Sequence, residues 1–146
     1  MFLSIHLNGS PNKSAYGFET YLLRPGKTED AIEVASRENE VIKFEERTDN
    51  RYKDLSGENL IMATMAQSVF MKESEELAAM IQEEMAKKIK SKNRGVKQAG
   101  FHVLIGASMP NILIEAGYLT NRNEEKNLRN AKYRQTIANC IYKAIV

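Results

Sequence analysis

Apolar residues open the chain in an almost unbroken run, Met1-Phe2-Leu3-Ser4-Ile5-His6, which stops at a polar loop, Asn8-Gly9-Ser10-Pro11-Asn12-Lys13. A run without strict alternation predicts a short buried strand. Aromatic and β-branched residues at Tyr16, Phe18, Thr20 and Tyr21 predict a second strand to Leu23, closed by Pro25-Gly26. The loop between the two is short enough for antiparallel or near-neighbour pairing. From Lys27 to about Arg47 the period becomes helical. Thr28 is a plausible N-cap, and a narrow stripe of Ile32, Ala35, Val41, Ile42 and Phe44 should grip a core only weakly.

A polar, turn-rich stretch, 48–57, precedes a long helical region from Glu58 to Lys90, with an interruption expected near Lys72 to Ser74. Leu77, Ile81, Met85 and Ile89 recur there every four residues and define one buried face. Phe101–Ile105 and Ile112–Glu115 predict two further strands, with Met109-Pro110 turning the chain between them. A short helix or turn over 123–130 and a terminal helix from Lys132 to Ile145, with Ile137, Ile141 and Ala144 inward, complete the pattern. Strands, a helical crossover, more strands and a closing helix predict an α/β protein with a layered mixed sheet flanked by helices.

The length of 146 residues suits one domain, and 42% apolar with 27% charged residues is the balance of a globular chain. A net charge of +2, mixed along the sequence, gives no footprint of a nucleic-acid partner. The basic stretch Lys87 to Arg94 is what a helix C-terminus favours. Cys140 is the only cysteine, which excludes an internal disulfide and a cysteine zinc cluster and suits a small core residue. No apolar run approaches the roughly 18 residues of a membrane span, and no signal-peptide layout opens the chain.

Two residues stand where a buried strand meets a loop, the place where catalytic groups gather in α/β proteins: His6 and Glu115. A strand-end histidine is commonly a hydrogen-bonded structural residue, and it is also a zinc ligand type. A glutamate directly after Ile112-Leu113-Ile114 is costly to bury unless something neutralises or uses it, so a catalytic role stands beside two alternatives, a surface position at the sheet edge and one end of a salt bridge. Taken together, an imidazole on zinc and a carboxylate as general base describe metal-assisted amide hydrolysis. His102, the other histidine, reads as an exposed strand residue, and no ligand spacing such as H-E-x-x-H completes a metal site.

Ser4-Ile5-His6-Leu7-Asn8, Gly17-Phe18-Glu19-Thr20-Tyr21, Arg94-Gly95-Val96-Lys97 and Met109-Pro110 through Glu115-Ala116-Gly117-Tyr118-Leu119-Thr120-Asn121 resemble, in this order, the zinc-dependent N-acetylmuramoyl-L-alanine amidases of the amidase-3 type. The resemblance implies hydrolysis of the amide between N-acetylmuramic acid and L-alanine in peptidoglycan. His6 matches a zinc histidine and Glu115 the catalytic glutamate. Asn8 and Glu19 match recurrent positions that suit substrate-site or structural support. The family's first zinc histidine and its zinc glutamate have no counterpart. Residues 1–146 thus resemble the C-terminal portion of the catalytic domain, about two-thirds of it, in a truncated version of that fold. With the zinc ligand set incomplete, the chain alone should have little or no activity.

The stretch from about 27 to 74 resembles a regulatory helical insert that covers the zinc site of some cell-division amidases, with Glu38, Glu40, Glu45 and Glu46 on its helix. The partners implied are peptidoglycan, an activator protein and, through sheet edges left exposed, a second copy. The location implied for a full-length protein is the periplasm or cell envelope. A non-catalytic protein binding cell-wall fragments or a regulatory partner on the same fold is the alternative.

Overall fold

The computed structural model describes residues 1–41, 61–62, 65 and 68–146. Its strands are β1 (Phe2–Asn8), β2 (Phe18–Leu23), β3 (Asn93–Ala99) and β4 (Asn111–Tyr118). Its α-helices are α1 (Glu29–Glu40), α2 (Met71–Lys88), α3 (Arg122–Arg129) and α4 (Ala131–Ile145). The strands form one mixed sheet in the order β1-β4-β2-β3. β4 runs parallel to β1 and antiparallel to β2, and β2 runs parallel to β3.

Each face of this sheet carries its own core. Phe18, Leu22, Ile112, Ile114 and Ala116 point to one face and pack under α2 and α4 through Leu77, Ile81, Met85, Ile137, Cys140 and Ile141. Tyr21, Leu23 and Leu113 point to the other and meet Ala31, Val34 and Ala35 of α1, with Phe101 and Leu104. Coverage on both faces explains why β2 and β4 are buried at every position instead of alternating.

Strands β1 and β2 are successive in sequence yet do not pair, because β4 enters between them. A loop-length argument sees only the two runs; the more hydrophobic β4 takes the centre, where both faces are covered. The third strand is Asn93–Ala99, and the run Phe101–Ile105 is instead a 3₁₀ turn over His102–Leu104. Phe101 and Leu104, three residues apart and both fully buried, fall on one side of that turn. His102 is half-buried there, not on a strand, and burial holds its pKa below the usual histidine value.

Helix α1 begins as expected, Thr28 Oγ1 accepting from the Ala31 amide at 3.3 Å. Its buried positions are Ala31, Val34 and Ala35, whereas Ile32 and Val41 of the expected stripe are exposed. Its grip is firm at the other end too. Asn39 Nδ2 donates to the Gly100 carbonyl at 2.9 Å, and Asn39 Oδ1 accepts from the His102 amide at 2.9 Å. Residues 42–47 of the expected helix, Glu45 and Glu46 among them, lie outside the described residues, as does the expected loop at 48–57.

Candidate active site

Strand register assembles the polar residues. His6 pairs with Glu115 across β1 and β4, and Glu115 pairs with Glu19 across β4 and β2. Paired residues share a face, so the three side chains form a row on the side covered by α1. The helix adds a fourth: Ala31, Val34, Ala35 and Glu38 follow the helical period, which carries the Glu38 carboxylate over β1.

His6 Nδ1 and Glu38 Oε2 lie 2.7 Å apart, and His6 Nε2 is 2.8 Å from Ser4 Oγ. Single ligand atoms of His6, Glu38 and Glu115 all fall within 4.8 Å of one another. Glu115 is fully buried, and neither carboxylate oxygen has a hydrogen-bond partner among the described residues. An orphaned buried carboxylate of this kind is rare because its desolvation is unrelieved. Burial, then the neighbouring charges of Glu38 and Glu19, push its pKa up to about 9, against a smaller opposing pull from Arg37. A cation beside it would relieve all three, and one nitrogen with two carboxylates is a donor set suited to zinc. The residues present therefore fit a metal, with Glu115 supplying the unsatisfied oxygens.

Glu19, also fully buried, meets the opposite environment. Its Oε1 accepts from Asn8 Nδ2 at 2.7 Å and from the Tyr118 hydroxyl at 3.0 Å. Its Oε2 accepts from Arg94 Nε at 3.1 Å and is in contact with Lys97 Nζ. Burial alone would raise its pKa, but the bonds and charges of Lys97 and Arg94 outweigh it and hold the carboxyl below its ordinary value.

A bulge in β3 makes this double contact geometrically possible. Phe18 pairs with Asn93 but Thr20 with Val96, so Arg94 and Gly95 together oppose Glu19. Gly95 takes the positive φ of 79° that the extra residue demands. The shift brings Arg94 and Lys97, three apart in sequence, onto the same carboxylate.

Beside this row lies a cleft of about 440 Å³, floored by β2 and β3 and walled by α1 and the Ser10–Tyr16 loop. Glu124 braces its outer end: it accepts from the Gly17 amide at 3.0 Å and the Tyr118 amide at 2.7 Å, joining β2, β4 and α3.

The structure thus brings His6 and Glu115 side by side, with Asn8 and Glu19 in the adjoining network and His102 outside it. The resemblance put Glu38 on a helix expected to cover the zinc site, but nothing in the sequence said that its carboxylate would meet His6. Arg94 and Lys97 were recognised as part of a motif, but nothing in their spacing announced that both would reach Glu19.

The sequence profile of the N-acetylmuramoyl-L-alanine amidase family matches residues 1–146. The chain is 26% identical over 155 residues to N-acetylmuramoyl-L-alanine amidase AmiA of Escherichia coli (strain K12), an alignment covering 100% of this chain and 50% of AmiA. Its fold is similar to that of an N-acetylmuramoyl-L-alanine amidase from Clostridium difficile 630, with a TM-score of 0.61, 27% identity, and coverage of 98% of this chain and 54% of that one. The CwlD amidase of Clostridioides difficile, solved in complex with the GerS lipoprotein, gives a TM-score of 0.61 and 27% identity over 99% of this chain and 51% of its own. The chain therefore spans about half the length of these relatives. With a profile match over its whole length and the same mixed sheet, this chain belongs to the N-acetylmuramoyl-L-alanine amidase family.

Proposed function

We propose that the chain forms part of a peptidoglycan amidase that cleaves the bond between N-acetylmuramic acid and L-alanine, with Glu115 as general acid and base. The observation that carries this reading is the buried, unpartnered Glu115 carboxylate beside His6 and Glu38. His6, with ligands from outside this chain, would hold zinc with Glu115 alongside, and Glu38 would add its carboxylate only while α1 stays docked. When bound, zinc supplies Lewis-acid polarisation of the amide carbonyl and acidification of water.

Glu115 accepts the proton of the attacking water at a carboxylate oxygen and returns it to the nitrogen of the leaving alanine. Its raised pKa suits the second of these tasks, since an acid that must protonate an amine works best when it does not ionise too readily. A neighbouring positive charge lowers that pKa and makes the carboxylate available for the first. Leu113, buried on the same face of the sheet as Glu115, helps to keep bulk solvent from both transfers.

Helix α1 lies within the insert-like stretch at 27–74. Through the contact between Glu38 and His6, it would occupy the site until displaced, which is the regulatory reading of that stretch. The GerS lipoprotein bound to CwlD is a precedent for a partner protein acting on such a domain. Action on peptidoglycan would put the whole protein in the cell envelope. Exposed Ile5 and Leu7 on edge strand β1 suit pairing with further chain or a second copy.

Metal analysis of the purified chain and peptide release from peptidoglycan, by this chain and by the longer protein, test the proposal. Little or no release by the chain alone, zinc-dependent release by the longer protein and its loss in Glu115→Gln are expected. A longer protein that binds peptidoglycan yet releases no peptide would overturn the catalytic reading in favour of a binding role.

A further inference from the structure

The cleft over β2 and β3 holds more positive charge on its floor than the described contacts consume. Glu19 is one carboxylate facing two cations, and both its oxygens are already shared by four donors. Arg94 uses Nε on Glu19 and reaches the Tyr16 carbonyl at 3.5 Å with Nη1, leaving most of its five N–H donors for another acceptor. Lys97 likewise keeps donors beyond its contact with Glu19. Lys97 Nζ lies 5.9 Å from the ring of Tyr21, which is fully buried and whose hydroxyl has no hydrogen-bond partner among the described residues. Tyr21 lines the same cleft. A buried hydroxyl with no partner is a donor awaiting one.

The remaining walls limit what the cleft can take. On α1, Glu33 faces Arg37 at 3.7 Å, and Asp30 adds a further negative charge, with Lys92 at the rim. These acids would repel a dianion such as phosphate, whereas a single carboxylate matches the one positive charge left over on the floor. The volume of about 440 Å³ is that of a small-ligand site.

We propose that this cleft receives a free carboxylate on the peptide side of the substrate, through Arg94, Lys97 and the Tyr21 hydroxyl. The inference rests on the amidase reading of Glu115. β3 lies two strands from β4, about 10 Å at the usual spacing. An extended residue spans about 3.5 Å, so the carboxylate belongs two to three residues beyond the amide over Glu115. Arg94 and Lys97 thereby become specificity residues, and the β3 bulge is what aims them.

Calorimetric titration of the full chain with N-acetylmuramoyl-L-alanyl-D-glutamate and with its α,γ-dicarboxamide, which has no free carboxylate, tests this. The acid should bind about tenfold more tightly than the amide, the effect of one charge-assisted hydrogen bond. Tyr21→Phe removes a hydroxyl with no hydrogen-bond partner among the described residues and should leave the fold intact, yet the preference should fall severalfold. Lys97→Gln should reduce it as well, with Arg94 still holding Glu19. If thermal melting shows that Lys97→Gln is unfolded, Tyr21→Phe alone decides. Equal affinity for acid and amide, or an undiminished preference in Tyr21→Phe, would overturn the inference while leaving the amidase reading standing. Failure of both probes to bind would overturn this inference, whereas the amidase reading stands or falls on peptide release by the longer protein.

Discussion

Replacing Glu115 by glutamine should make the metal-free chain more stable, although it removes the residue on which the proposed chemistry turns. The carboxyl is fully buried, has no hydrogen-bond partner among the described residues and has its pKa raised from 4.5 to about 9. An acid whose folded pKa lies above its unfolded value binds more protons in the folded state between those two values. Stability is then greatest below the unfolded pKa and falls as pH rises toward the folded one. Each pH unit in that window costs about 1.4 kcal/mol, so by pH 7 the native chain has lost about 3 kcal/mol. A glutamine side chain is nearly isosteric and never ionises, so the variant should exceed the native chain by about that amount at pH 7 and by less than about 1 kcal/mol at pH 5. Urea unfolding from pH 5 to pH 8 in the presence of a chelator measures both. Equal pH slopes for the two proteins, or a variant less stable than the native chain at pH 7, would refute the reasoning.

Zinc should reverse that ordering, because it requires the ionised carboxylate. At a concentration a thousand times its dissociation constant it should stabilise the native chain by about 4.1 kcal/mol, more than the deficit at pH 7, and thermal melts should register this for the native protein but not for His6→Ala. Glu19→Gln should behave oppositely to Glu115→Gln, costing about 3–5 kcal/mol because Arg94 and Lys97 lose their buried partner. The pH sign is opposite too: with its pKa lowered, Glu19 contributes stability above its unfolded pKa that disappears as pH falls through the folded one, measurable by unfolding between pH 5 and pH 2. Gly17→Ala should be poorly tolerated, since φ is 119° and the new Cβ would meet the Lys92 carbonyl at 2.4 Å; soluble yield and melting temperature report the damage.

Strong local patterns made much of the fold legible. The runs at β2 and β4, the four-residue repeat of α2 and the terminal helix depend on side chains whose burial is repeated along one element, whereas the run at β1 is that of a partly exposed edge strand. Asn93–Ala99 escaped because an edge strand with a bulge carries little apolar periodicity, its Arg94 and Lys97 side chains being turned to a buried glutamate. Phe101–Ile105 misled because a short apolar run does not distinguish a strand from a turn whose residues i and i+3 both reach the core.

Read alone, the chain singled out His6 and Glu115 as chemistry-bearing residues in apolar strand runs, and its ordered motifs carried the family; the structure places Glu115 inside β4 and His6 on a partly exposed edge strand, not at the ends of two buried ones. Their neighbourhood was settled in three dimensions. Insertion of β4 between β1 and β2 aligned His6, Glu115 and Glu19 in one row, and the docking of α1 brought Glu38 to His6 across 32 residues of sequence. Strand pairing and helix docking are long-range choices, made by which apolar faces can be covered together. The charges of a site simply follow the backbone to wherever those choices place it.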